Sequence, residues 1–149
     1  MPHEVTLSSV PLFSQLPKRT LSRLGRSVRQ RRYRPGQAIV KQGDKADAFY
    51  IVERGRVEVL AGRGKKSAKL NELRDGAFFG EMALLDGAPR TATVKALTQT
   101  DCLVLPRRAF MAELRANPKI AVAMLPVLSM QFREDARDSR PMIELLRYV

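Results

Sequence analysis

Apolar positions change their spacing twice along the chain, and each change marks a different kind of element. Leu21, Leu24 and Val28 recur at intervals of three and four behind Pro17, which places one apolar stripe on a short amphipathic helix from Pro17 to Val28. From Arg31 to Leu105 the pattern shortens. Ala38–Val40, Phe49–Val52, Val57–Leu60, Ala68–Leu73, Thr91–Ala96 and Cys102–Leu105 are β-favouring runs separated by turn residues, as in a β-sandwich or roll. Ala92, Val94 and Ala96 alternate with Thr91, Thr93 and Lys95, the period of a strand with one buried face. The turns carry Gly36, Gly43, Gly55, Gly62, Gly64 and Gly76, where a positive φ is cheap.

After Leu105 the helical period returns. Arg107 to Arg115 and Lys119 to about Arg137 read as helices split by Asn117-Pro118, with Pro118 opening the second. The second is apolar at Ile120, Val122, Ala123, Val127 and Met130, and Pro126 is expected to kink it. Ser139-Arg140-Pro141 ends it, leaving an apolar tail of Met142, Ile143, Leu145, Leu146 and Tyr148. The layout is helix, β-roll, helices: one α+β domain.

Composition narrows the function more than the fold. The 149 residues, 44% of them hydrophobic, suffice for one ordinary core. The single Cys102 can form neither an intramolecular disulfide nor a multi-thiolate metal site, which fits a reducing cytoplasm. No signal peptide is expected from the first residues, and the longest mostly apolar run, Ile120 to Val127, is far below the roughly 20 residues of a membrane span. The only histidine is His3, so Ser-His-Asp and Cys-His machinery and His-rich metal centres lack their residues. The 15 acidic residues show no catalytic spacing, and an enzyme is disfavoured, with no catalytic cofactor expected. The net charge of +12 suits a nucleic acid, an anionic surface or a small anion equally. Eight of the basic residues lie between Lys18 and Arg34 with no acid among them, a block that reads as a docking face or a solvated surface.

One segment is neither ordinary strand nor ordinary helix: Phe79-Gly80-Glu81-Met82-Ala83-Leu84-Leu85-Asp86-Gly87-Ala88-Pro89-Arg90-Thr91-Ala92. Gly80 allows close backbone approach, and a single helical turn from Glu81 to Leu85 exposes unpaired N–H groups at its start. Arg90 then arrives with a permanently charged fork suited to two phosphate oxygens. Glu81 and Arg90 thus form a two-point grip, acid to a sugar hydroxyl and base to a phosphate, or else a salt bridge that merely closes the loop.

The order of residues in this segment resembles the phosphate-binding cassette of the cyclic-nucleotide-binding domain family. That family includes the catabolite activator protein, regulatory subunits of cyclic-AMP-dependent kinases and cyclic-nucleotide-gated channels. The resemblance extends to Gly36, Gly43, Gly55 and Gly76, to Phe49-Tyr50-Ile51-Val52, and to the final helices, covering roughly Ser9 to Arg137.

It implies a jelly-roll-like β-roll of about eight strands over 31–106, an N-terminal helical segment over 9–30, helices B and C over 107–138, a short cassette helix and a tail over 139–149. It further implies that Glu81 binds the ribose 2′-hydroxyl, that Arg90 binds the exocyclic oxygens of the cyclic phosphate, and that Gly80 and backbone amides near Met82 and Ala83 assist. Thr91 offers a hydroxyl to the phosphate or to the 2-amino group of a syn guanine, which leaves cyclic GMP open beside cyclic AMP. Counting along the last helix reaches Asp135, a candidate lid residue over the base where the catabolite activator protein supplies hydroxyl residues.

By the same resemblance, ligand draws in the cassette and repositions the C-terminal helices, which act on an effector. A winged-helix DNA-binding domain would need on the order of 70 more residues, and none is expected here. The effector is therefore a protein partner or a fused domain, with a homodimer through the long C-terminal helix as one arrangement. Two rival readings are a ligand-independent interaction module of the same fold and a polyanion binder using Lys18 to Arg34, which has no Trp to stack on a base.

Overall fold

The computed structural model describes residues 7–62, 64–81 and 83–137, the side chains of Gln131 and 134–137 excepted. After a 3-10 turn at Pro11–Phe13 come helix α1 (Lys18–Ser27), strands β1 (Arg29–Tyr33), β2 (Ala38–Val40), β3 (Ala48–Arg54), β4 (Arg56–Ala61), β5 (Ala68–Arg74) and β6 (Phe78–Phe79), and a short helix α2 (Ala83–Asp86). Strands β7 (Thr93–Ala96) and β8 (Thr100–Pro106) follow, then helices α3 (Arg107–Ala116) and α4 (Lys119–Arg137). The tail over 139–149 lies outside the described residues.

The eight strands form two antiparallel four-stranded sheets, ordered β1-β8-β3-β6 and β2-β7-β4-β5. Side-chain alternation on β3 and β8 builds two cores at once. Ala48, Tyr50, Val52, Cys102 and Val104 face Val40, Val57, Val59, Ala92, Val94 and Ala96 between the sheets. Phe49, Ile51, Leu103 and Leu105 face a helical layer formed by Phe13, Leu21, Leu24, Leu84, Phe110, Ile120 and Met124. Because both faces of β3 are covered, its sequence reads as a continuous apolar run rather than an alternating one. The α+β β-roll expected from the sequence is the observed fold.

Three details differ from the pattern reading. The roll begins at Arg29, two residues before the expected Arg31, with a strand whose first four residues are all exposed. Register rather than apolar alternation makes it a strand, since Arg29 to Tyr33 pair in order with Val104 to Thr100 on β8. Half of the basic block therefore lies beyond the helix, with Arg29, Arg31 and Arg32 on β1 and Arg34 in the turn that follows.

Thr91 and Ala92 precede rather than open β7. There Pro89 bridges Lys45, and the N–H and carbonyl of Arg90 bond Asp44 and Gly43, so pairing with β4 starts only at Thr93. On α4, Ile120 and Met124 are buried whereas Val122, Leu125, Met130 and Phe132 are 60–73% exposed. At 100° per residue the i, i+4 pair faces the core and leaves a second apolar face in solvent.

Candidate functional site

The cassette starts where β6 leaves the sheet. Phe79 pairs with Tyr50 of β3 and stacks on its ring, with centroids 4.9 Å apart and an interplanar angle of 5°. Gly80 turns the chain with φ of 82°, a left-handed value that a side chain would strain. Glu81 follows, only 1% exposed, and its carbonyl accepts the Leu84 N–H at 3.3 Å. Ala83–Asp86 make one turn of helix, closed by Gly87, whose N–H reaches the Ala83 carbonyl at 2.9 Å. The Asp86 carboxylate accepts the Ala88 N–H at 2.9 Å and holds the return turn. Met82 lies outside the described residues.

Arg90 ends the cassette, 3% exposed. Its Nη2 donates to the Ala48 carbonyl at 2.7 Å, and its guanidinium carbon sits 5.5 Å from the centre of the Tyr50 ring. Burial holds its pKa below the ordinary arginine value, opposed by Tyr50 and by the charge of Asp47. Tyr50 is itself pushed up by burial. One ring of β3 therefore touches both ends of the cassette, Phe79 by stacking and Arg90 by a cation–π contact. A small cavity of about 180 Å³ beside Arg90 is lined by Tyr50, Asp47, Asp44, Lys41 and Lys45.

The structure places Gly80, Glu81, Ala83 and Arg90 in one continuous loop whose acid and base are both buried. Thr91 is exposed beside them. Asp135 lies on α4, but its side chain is outside the described residues. Tyr50 and Asp47 were not singled out from sequence, since an aromatic inside an apolar strand and an acid in a turn are common. The Asp44-Lys45-Ala46-Asp47 run leading into β3, polar up to the edge of an apolar strand, is the signal that could have found Asp47. Among the described residues no group of three or more His, Cys, Asp or Glu is placed to hold a metal ion. No helix among them is long and apolar enough to cross a membrane.

The profile of the cyclic nucleotide-binding domain matches residues 30–117, from β1 through the end of α3. The chain belongs to the cyclic nucleotide-binding domain family. Over 72% of its length it is 38% identical to a cAMP-dependent protein kinase regulatory subunit of Mucor circinelloides f. lusitanicus, and the match spans 25% of that protein. It thus corresponds to about a quarter of the curated relatives it matches.

Among solved structures, the catabolite activator protein of Thermus thermophilus aligns with a TM-score of 0.67 at 32% identity, over 85% of this chain and 60% of that one. The regulatory domain of Toxoplasma gondii PKA, co-crystallised with cAMP, aligns with a TM-score of 0.70 at 26% identity, over 89% and 49%. Two antiparallel sheets with flanking helices are the fold of this domain.

Proposed function

We propose that this domain binds a 3′,5′-cyclic nucleotide, cyclic AMP first and cyclic GMP second, and relays occupancy through its C-terminal helices to a protein partner or a fused effector. The observation that carries this reading is the burial of Glu81 and Arg90 at the two ends of one loop, 1% and 3% exposed. Burial strengthens the attraction between a guanidinium and an anion that enters beside it. Arg90 takes the exocyclic phosphate oxygens, Glu81 accepts the ribose 2′-hydroxyl, and Gly80 with the amides of Met82 and Ala83 closes on the phosphate. Thr91 and Asp135 are assigned to the base and phosphate edges, where they set the preference between adenine and guanine. A cytoplasmic location belongs to the same reading.

Calorimetric titration of the whole chain with cyclic AMP and cyclic GMP tests it. Saturable heat with either nucleotide at one site supports the reading, and no heat with both overturns it. A second reading, a ligand-independent interaction or homodimer module, is favoured by the exposed Val122, Leu125, Met130 and Phe132 on α4. Sedimentation in the presence and absence of nucleotide separates the two: self-association without nucleotide binding supports the second.

A further inference from the structure

Arg107 stands at a junction that the ligand contacts do not use. It is the first residue of α3, and its backbone N–H donates to the Asp47 carbonyl at 2.7 Å, in the turn whose acid flanks Arg90. Its side chain runs the other way, and Nη2 donates to the Leu85 carbonyl at 3.2 Å, within the cassette helix α2. A Cβ built on Gly87, the residue that closes α2, would lie 3.3 Å from the Arg107 guanidinium. One residue thus touches the cassette, the Asp47 turn and the start of the helical pair α3–α4.

Two further observations bear on this junction. Arg107 Nε is buried with no acceptor among the described residues, so a single hydrogen bond holds the guanidinium to the cassette. A buried unsatisfied donor is a cost that an alternative placement removes. A cleft of about 390 Å³, lined by Lys45, Ala46, Asp47, Pro106, Arg107 and Arg108, opens beside the 2.7 Å hydrogen bond that ties the head of α3 to Asp47.

We propose that Arg107 is the positioning residue through which the cassette sets the placement of α3 and α4. The proposal rests on the reading of the cassette as a cyclic-nucleotide site. Ligand that draws in the cassette moves the Leu85 carbonyl, and Arg107 converts that movement into a change at the head of α3. Arg107 touches no ligand in this scheme. Its effect is a coupling between two parts of the domain.

Amide hydrogen exchange on the full chain, with and without cyclic AMP, measures that coupling, alongside calorimetry for affinity. In the wild type, ligand changes exchange in both the cassette and α3–α4. Arg107→Met keeps the stem and removes the donors. It is expected to bind cyclic AMP within about tenfold of wild type while its ligand response is confined to the cassette. Arg107→Lys, with one donor restored, recovers part of the α3 response. A merely structural role would speed exchange in α3 with and without ligand alike and leave the difference intact.

Gly87→Ala perturbs the same contact with Arg107 unchanged, and it carries the test if Arg107→Met does not fold. A wild type that binds cyclic AMP, with α3–α4 responding equally in the variants, overturns this proposal alone. A wild type that binds no cyclic nucleotide overturns the ligand reading and this proposal with it.

Discussion

Arg90 is bonded to the carbonyl of Ala48, 42 residues earlier in the chain, through a 2.7 Å contact that is buried. The cation at the end of the cassette is therefore tied to strand β3, outside its own loop. Removing it separates ligand binding from folding. Arg90→Ala is expected to weaken cyclic AMP by about 30- to several-thousand-fold, the equivalent of about 2–5 kcal/mol for one partner of a buried charge pair. The circular dichroism spectrum should keep its native form. Calorimetry showing wild-type affinity in this variant would remove Arg90 from the site.

Glu81 should act on one hydroxyl. If it accepts from the ribose, wild type prefers cyclic AMP over its 2′-deoxy analogue by about tenfold or more, the range for a charged hydrogen bond. Glu81→Gln reduces that preference and Glu81→Ala abolishes it. Equal discrimination in wild type and Glu81→Ala, read by competition binding, would assign Glu81 a purely structural part.

Gly55 offers a test of the scaffold that leaves the cassette untouched. Its φ is 120°, and an added Cβ would lie 2.6 Å from Thr100 Oγ1 and 2.7 Å from the Gln99 carbonyl oxygen. Gly55→Ala therefore combines backbone strain with a collision against backbone that cannot swing away. A loss of about 1–3 kcal/mol is expected, seen as a lower midpoint in urea unfolding.

Which of these features could be read from the sequence depended on how locally each is encoded. The runs Ala38–Val40, Val57–Leu60 and Ala68–Leu73 lie within strands because their composition and flanking turns act over a few residues. The cassette was legible for the same reason, with Gly80, Glu81 and Arg90 in one short segment. Strand β1 was not, because Arg29-Gln30-Arg31-Arg32 carries no apolar alternation and owes its conformation to a partner far along the chain. The two-residue β6 has no length in which to show a period. The roles of Tyr50 and Asp47 depend on where β3 meets the cassette, which is tertiary information.

The acid limb of stability should carry the Arg32–Asp101 pair. Arg32 Nε lies 2.8 Å from Asp101 Oδ1 and holds that carboxyl below its ordinary 3.8. A depressed folded pKa gives a contribution that is present above the unfolded value and lost as pH falls through the folded one. Stability should therefore fall on acidification below about pH 4, and less steeply in Asp101→Asn. At the alkaline end the sign reverses. Burial pushes the Cys102 thiol from 9.0 up to about 12. Its contribution is complete below 9.0 and is lost towards 12, and a thiol reagent at neutral pH should modify Cys102 only as fast as the domain unfolds. Rapid labelling of native protein would contradict this.

The register of β1 against β8 also sets an order of events during synthesis. Strand β8 lies between β1 and β3 in its sheet, so neither of those two can complete its pairing until Thr100–Pro106 has been made. The hairpin of β4 and β5 forms from neighbours in sequence and can appear early, whereas the pairing of β8 with β1 and β3 closes over a long loop and late. A nascent chain that already contains the whole cassette therefore still lacks the sheet beneath it. On the proposed reading, nucleotide assists only the last steps of folding.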